Sequence, residues 1–332
     1  MTPMTMPLLE VKDLMTHFSI EDKTLHAVDG VSFSLFRGEI LGLVGESGCG
    51  KSVTALSILR LVPDSGKVIS GQVLLEGEDL LEMDDNEIRN VRGNRISMVF
   101  QEPMSALNPV FTVGDQVAEV LRLHRGMDKS AAFERAAKLL GQVGIPDPAR
   151  RVSEYPHQMS GGMQQRALIA MAMACEPDVL IADEPTTALD VTVQAQILRL
   201  IEELIHEGNR GALLITHDLG VVAEVVDRVC VMYAGVIVEM GKVGDLFSAP
   251  QHPYTIGLIN SLPTPGRRRF IAIGGSVPDL MDLPSGCRFH PRCPRAQEVC
   301  TQEEPELTLT EKGNEVRCYF PGNKHESLRR AI

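Results

Sequence analysis

The sequence predicts an α/β protein with a mainly parallel core sheet, a helical subdomain inserted into it, and a small cysteine-containing C-terminal extension. Three observations carry this. Short apolar runs recur at 40–44, 96–100, 179–181 and 212–215, the pattern of strands buried on both faces. Between about 112 and 173 the pattern turns helical. Beyond Leu262 the composition changes.

Taken in order, residues 8–14, 28–35 and 73–75 are β-type, with apolar side chains alternating or clustered. The run at 40–44 leads through a glycine-rich loop to a helix expected over 52–61. Ala131-Ala132-Phe133-Glu134-Arg135-Ala136-Ala137-Lys138-Leu139-Leu140 exemplifies the helical stretch. A further helix is expected from about 191 to 206, with Ile197, Leu200, Ile201 and Leu204 on one face. Strands alternating with helices give a parallel sheet.

The chain has 332 residues, 44% hydrophobic and 23% charged, which is ordinary globular usage and excludes disorder over most of its length. Lys and Arg number 32 against 44 Asp and Glu, a net charge of −12 that disfavours binding to nucleic acid or anionic lipid. The charge is unevenly spread. Residues 1–262 carry 21 basic and 35 acidic side chains, net −14; residues 263–332 carry 11 and 9, net +2. Pro263, Pro265, Gly266 and Arg267-Arg268-Arg269 mark the seam. The expected division is a cassette over 1–250, containing the helical subdomain, and an extension over 251–332. The longest apolar run, 229–238, is about half of the roughly 20 residues a membrane-spanning helix needs. The first basic residue is Lys12, so no signal peptide is expected. Seven cysteines are then expected in a reducing compartment, without disulfides.

Gly45-Glu46-Ser47-Gly48-Cys49-Gly50-Lys51-Ser52 fits the phosphate-loop pattern G-x-x-x-x-G-K-[ST] between a buried strand and a helix. The glycines let successive backbone N–H groups turn toward phosphate oxygens, and the helix N-terminus adds its dipole. Lys51 is expected on the β- and γ-phosphates and the Ser52 hydroxyl on Mg²⁺. Cys49 occupies a permissive loop position, and alkylation of its thiol is expected to block nucleotide.

The run 179–182 ends in Asp183 and Glu184, and a parallel strand delivers its C-terminal residues to the ligand crevice. Asp183 is expected to hold Mg²⁺ and Glu184 to act as general base on the attacking water; the rival reading is a solvated acidic turn. Met159-Ser160-Gly161-Gly162-Met163-Gln164-Gln165-Arg166 opens a helix, either as an anion-binding turn or as an ordinary N-cap.

Phosphate loop, Gln101, Ser160-Gly161-Gly162, Asp183-Glu184, Ala188-Leu189-Asp190 and His217 follow one another in an order that resembles the ATP-binding cassette of ABC proteins, over roughly residues 8–250. The signature has Met at both outer positions where Leu and Gln are usual. The resemblance implies a phosphate-loop NTPase fold with an antiparallel β subdomain and an active ATPase. It implies two cassettes packed head to tail, the Ser160–Gly162 turn of one closing over ATP held by the other. Gln101 would sense the γ-phosphate or Mg²⁺, His217 would steady the γ-phosphate and Glu184, and Phe18 would stack on adenine. Asp190 is also readable as a helix N-cap, His217 as a residue at a helix start, and Phe18 as core.

Gln251-His252-Pro253-Tyr254-Thr255, Leu262-Pro263, Gly286-Cys287-Arg288-Phe289-His290-Pro291-Arg292-Cys293-Pro294 and the segment from Phe100 to Pro109 resemble ATPase subunits of oligopeptide and dipeptide importers. That implies a second, non-identical ATPase subunit, two transmembrane permeases, indirect coupling to an extracytoplasmic binding protein, and peripheral residence on the cytoplasmic face of the inner membrane. Alternatives are a nickel or other small-solute importer ATPase, or a soluble regulatory ATPase with a metal-sensing appendix. Cys287, Cys293, Cys300 and Cys318 form C-x5-C-x6-C-x17-C. Four thiolates suit zinc or an iron–sulfur cluster. The family resemblance implies [4Fe–4S]; Zn²⁺ and free thiols remain alternatives.

Overall fold

The computed structural model describes residues 6–101, 106–187, 189–262 and 273–322. The seam residues Pro263 to Arg269 and Ala188 lie outside the described residues. The chain forms two compact units. The first comprises Met1–Glu10, Ser34–Ile40 and Val73–Ile215, the second Val11–Phe33, Leu41–Gln72 and Thr216–Ile332.

In the first unit β6 (Ile96–Val99), β7 (Val179–Asp183) and β8 (Gly211–Thr216) run parallel in the order β8-β7-β6, with Ile96 opposite Val179 and Asp183 opposite Ile215. Every residue of β7 and β8 is buried, which is why no polar alternation marks them in the sequence. Three helices, Val113–Arg125, Lys129–Gln142 and Gly161–Ala172, pack on one another. Each starts where a short polar side chain can accept an orphan N–H: Thr112 from Asp115, Asp128 from Ala131, Ser160 from Met163. Ala132, Ala136, Leu139 and Leu140 form the buried stripe of the second.

In the second unit β3 (Ile40–Val44) pairs parallel with β9 (Arg228–Tyr233), Leu43 opposite Cys230. The apolar run at 229–238 is split by a turn at Ala234 and Gly235, both at positive φ, into β9 and its antiparallel partner β10 (Val236–Lys242). The antiparallel β subdomain is built on β1 (Leu9–Ile20), flanked by β2 (Lys23–Leu35) and β4 (Gly66–Leu75); the last residues of β4 belong to the first unit, where Leu74 and Leu75 pair with the short β5 (Glu78–Asp79). The sequence flags only the last residues of β4 because none of its first seven is buried.

The extension departs most from a simple appendix. Its strands β11 (Thr308–Leu309) and β12 (Glu315–Val316) continue the sheet as β3-β9-β10-β12-β11. A bulge between Ile237 and Glu239 shifts the register of β10. Glu239 is fully buried and accepts hydrogen bonds from the N–H groups of Gln251 (2.8 Å) and His252 (2.8 Å) and from Asn314 Nδ2 (3.1 Å). His252 in turn caps the helix Pro253–Asn260, its Nδ1 accepting from the Tyr254 N–H at 3.0 Å. Burial depresses its imidazole to about 3, so it is neutral, as an accepting Nδ1 requires. Among the described residues no helix is long and apolar enough to cross a membrane.

Burial pushes the Glu239 carboxyl above the ordinary carboxylate range, against the pull of the N–H groups it accepts. With the folded value raised, the native state holds the proton more tightly than the unfolded chain. Stability from this group is full below the ordinary carboxylate range and is lost as pH rises through the raised value. Chemical denaturation of wild type and Glu239→Gln across that window is expected to show a decline in the wild type that the variant lacks.

Candidate nucleotide site

The phosphate loop belongs to the second unit. The helix Lys51–Ile58 starts at Gly50, whose φ of 108° is open to glycine alone, and a Cβ there would lie 2.1 Å from the Ala27 carbonyl oxygen. At Gly45 a Cβ would lie 2.2 Å from the Met232 carbonyl oxygen, so β9 passes directly behind the loop. Lys51 is buried and its Nζ donates to the carbonyls of Gly45 (2.9 Å) and Glu46 (3.0 Å). Ser52 follows, half-buried, in the first helical turn. Ser47 and Gly48 are exposed at the tip.

Cys49 runs against an expectation. Its side chain is wholly buried and burial pushes its thiol up despite the neighbouring Lys51, both of which disfavour alkylation.

Phe18, in β1, lies over the Gly66 backbone and is half-buried. His217 follows β8 and is exposed; the adjoining helix Leu219–Val225 is capped by Asp218, which accepts from the Gly220 N–H at 2.8 Å, and not by the histidine.

In the first unit, Asp183 is buried at the end of β7 and Glu184 leaves the strand at a φ of 46°. A non-glycine residue held in that left-handed conformation carries strain of the kind that concentrates at functional sites. Its N–H donates to the Ile215 carbonyl at 2.9 Å, which pins the turn. Gln101 Nε2 donates to Glu184 Oε2 at 3.0 Å, so two residues 83 apart in sequence and both singled out by pattern are brought together. Thr187 Oγ1 donates to the same oxygen at 2.8 Å. Sequence reasoning missed Thr187. The available signal was a hydroxyl three residues after the carboxylate, the spacing at which a turn folds one onto the other.

Ser160 caps the helix Gly161–Ala172, and Ser160 and Gly161 are exposed. Asp190 caps the helix Val191–Glu207, accepting from the N–H groups of Thr192 and Val193 at 3.1 and 3.0 Å, so its N-cap reading is realised.

The four extension cysteines, 18 or fewer residues from their neighbours in sequence, line one small cavity with His252, Phe289 and Tyr319. Backbone N–H groups of Arg295 and Phe320 donate to the sulfurs of Cys293 and Cys318, each at 3.4 Å. Burial raises the thiols of Cys287 and Cys293, and that of Cys318 to about 11. Among the described residues the one histidine, cysteine or carboxylate trio whose ligand atoms all fall within 4.8 Å is His17, His26 and Asp29, so no three of these sulfurs are that close. A tetrahedral zinc with Zn–S near 2.3 Å needs S···S edges of about 3.8 Å.

Comparison with known proteins decides the family. The model of the family described as "ABC transporter" matches residues 28–187, and that of the "Oligopeptide/dipeptide transporter, C-terminal region" matches residues 238–300. The oligopeptide transport ATP-binding protein AppD of Bacillus subtilis is 51% identical over 316 residues, covering 94% of this chain and 96% of the relative. The dipeptide transport ATP-binding protein DppD of Escherichia coli is 48% identical over 318 residues, covering 95% and 97%. The chain belongs to the ABC transporter ATP-binding family. It is an ABC ATPase, which binds ATP with Mg²⁺ and couples its hydrolysis to transport. Among solved structures, the dimeric post-hydrolysis state of the ATP-binding cassette MJ0796 with ADP and Pi aligns with a TM-score of 0.64 at 28% identity, covering 71% of this chain and 98% of that one.

Thr187→Ala in this ABC ATPase removes one of the two donors seen on Glu184 Oε2. Steady-state ATPase assays are expected to show kcat lowered about tenfold, or 1.4 kcal/mol of barrier, with KM for ATP little changed.

Proposed function

We propose that this chain is the ATPase subunit of an importer of di- and oligopeptides, working at the cytoplasmic face of the inner membrane with two permeases, a homologous second ATPase and, indirectly, an extracytoplasmic binding protein. The observation that carries the cargo reading is the match of the extension, residues 238–300, to a region described by oligopeptide and dipeptide transport. The names of the relatives favour peptides over nickel or a soluble regulatory role in the same way. Exposed Phe100, Val110 and Phe111 flank Gln101 along the chain and suit a protein partner, which the acidic chain needs in place of anionic lipid.

The nucleotide chemistry follows from the residues. The loop from Gly45 to Ser52, with Glu46, Ser47, Gly48, Cys49 and Gly50 between, cradles the triphosphate with backbone amides other than those of Glu46 and Cys49, which the Tyr254 hydroxyl and the Glu46 carbonyl take. Lys51 neutralises its β- and γ-oxygens. The oxygens of Ser52, Asp183 and Gln101 are hard donors that suit Mg²⁺, and Phe18 stacks on adenine. Glu184, oriented by Gln101 and Thr187, takes the proton of the attacking water while His217 steadies the γ-phosphate. Ser160, Gly161 and Gly162 act on the ATP of the partner cassette. The exposure of Ser160 and Gly161 at a helix N-terminus supports this, because amides near solvent can meet an anion brought by a second chain. Asp190 lies by the same interface.

The cysteines are the finer part. Their gathering on one cavity and the N–H···S bonds support a [4Fe–4S] cluster on Cys287, Cys293, Cys300 and Cys318. Such a group would supply cross-linking of a segment with little regular structure, and raised thiols need a bound cation to ionise.

Glu184→Gln is expected to bind ATP as the wild type does, lose turnover by at least about 100-fold, and accumulate as an ATP-bound dimer by light scattering; wild-type turnover would remove Glu184 from the base role. Protein purified anaerobically is expected to hold about four irons and four sulfides per chain with visible absorbance; one zinc and no colour would replace the cluster with zinc.

A further inference from the structure

The stretch from Cys287 to Cys293 carries two arginines as well as two cysteines, and both arginines are nearly buried, at 7% and 5% side-chain exposure. Arg292 reaches the phosphate loop. Its Nη1 donates to Glu46 Oε2 at 2.7 Å and its Nη2 to Glu46 Oε1 at 3.1 Å, a two-pronged pair 246 residues apart in sequence. The guanidinium lies over the Tyr233 and Phe289 rings, and its Nε donates to the Gly274 carbonyl at 2.9 Å. Tyr254, also from the extension, accepts the Glu46 N–H on its hydroxyl at 2.9 Å. Both the side chain and the amide of Glu46 are thus held from outside the cassette motifs.

Arg288 anchors the other side of the loop at one remove. It donates to the Ala234 carbonyl at 2.7 Å and pairs with Asp29. The next residue in that turn, Gly235, donates its N–H to the Cys49 carbonyl at 2.9 Å.

Glu46 is the second residue of the phosphate-loop pattern. Nothing in that pattern asks for a carboxylate there, and a carboxylate beside a triphosphate repels it unless its charge is taken up. Arg292 supplies that neutralisation and fixes the side chain pointing toward the extension.

We propose that Arg292 is a positioning residue for nucleotide binding: through Glu46 it holds the phosphate loop in its anion-ready form and makes ATP affinity depend on the cysteine-bearing extension. This rests on the phosphate loop being the ATP site. The extension then acts as a brace on the loop, and its state and the nucleotide's are linked reciprocally.

The test is equilibrium binding of a fluorescent ATP analogue to the full chain. Arg292→Ala is expected to raise Kd about tenfold, the lower end for a hydrogen bond to a charged partner. Arg292→Lys, which keeps the charge but loses the fork, is expected to recover only part of it. Glu46→Ala removes the partner carboxylate, so Arg292→Ala in that background is expected to change Kd by less than about twofold, the signature of coupling. In ATPase assays the loss should fall on KM, with kcat within about twofold. Metal content and sulfide of Arg292→Ala should equal wild type; a parallel loss of metal and affinity, restored together, would make Arg292 a structural residue of the extension and overturn the proposal. Equal additive effects of Arg292→Ala in both backgrounds would overturn it too. If Arg292→Ala is insoluble, Glu46→Ala and Glu46→Gln carry the test alone: unchanged affinity and unchanged KM in both would sink the brace. Lys51→Ala serves as the control on the underlying reading, since wild-type affinity in that variant would mean the loop is not the ATP site, whatever Arg292 does.

Discussion

A loop that binds phosphate through backbone amides must first dispose of its own carbonyls. The chain meets this constraint by giving those carbonyls donors of its own. The carbonyls of Gly45 and Glu46 are taken by Lys51 Nζ, that of Cys49 by the Gly235 N–H, and that of Gly50 by the N–H and hydroxyl of Thr54. An unsatisfied buried carbonyl costs more than a hydrogen bond gains, so each of these contacts removes a competitor for the conformation in which amides face outward. Close approach of the Ala27 and Met232 carbonyls to Gly50 and Gly45 completes the mould, because no side chain fits between.

The extension is best understood as part of that arrangement. A short segment with little regular structure buries few apolar groups of its own. It holds its place largely by buried polar contacts. Glu239 gathers the N–H groups at the start of the helix Pro253–Asn260, His252 caps that helix as a neutral ring, and Tyr254 carries the anchorage on to Glu46. Tyr233, Tyr254 and Phe289 form a ring cluster beneath, with centroids 4.6 to 5.5 Å apart. Within the motif from Gln251 to Thr255, the side chains of His252 and Tyr254 therefore have a structural reason.

In the first unit the same economy shows at Glu184. The strand delivers it, the left-handed φ turns it out of the sheet, and Gln101 and Thr187 fix one of its oxygens. Legibility here varied with range. β3 was readable to the residue, since 40–44 is wholly apolar and ends at the loop glycines. β4 was visible only in its last three residues because its exposed portion carries no apolar pattern. The helix after the loop runs Lys51–Ile58, a turn shorter than expected, because Leu59 to Leu61 continue apolar while Arg60 adopts a left-handed φ of 52° that ends it.

What the sequence determined by itself was local and chemical: the strand–loop–helix that makes the phosphate site, the carboxylates at a strand end, the capping residues of the helices, and four cysteines in a segment of different charge. Those features arise between residues a few positions apart, where spacing fixes geometry. Tertiary structure alone decided that Cys49 is sealed from solvent, that the cysteines share one cavity, that β12 joins β10, and that Arg292 reaches Glu46. Contacts across 246 residues depend on how many packed layers intervene, and no periodicity in the chain records that distance.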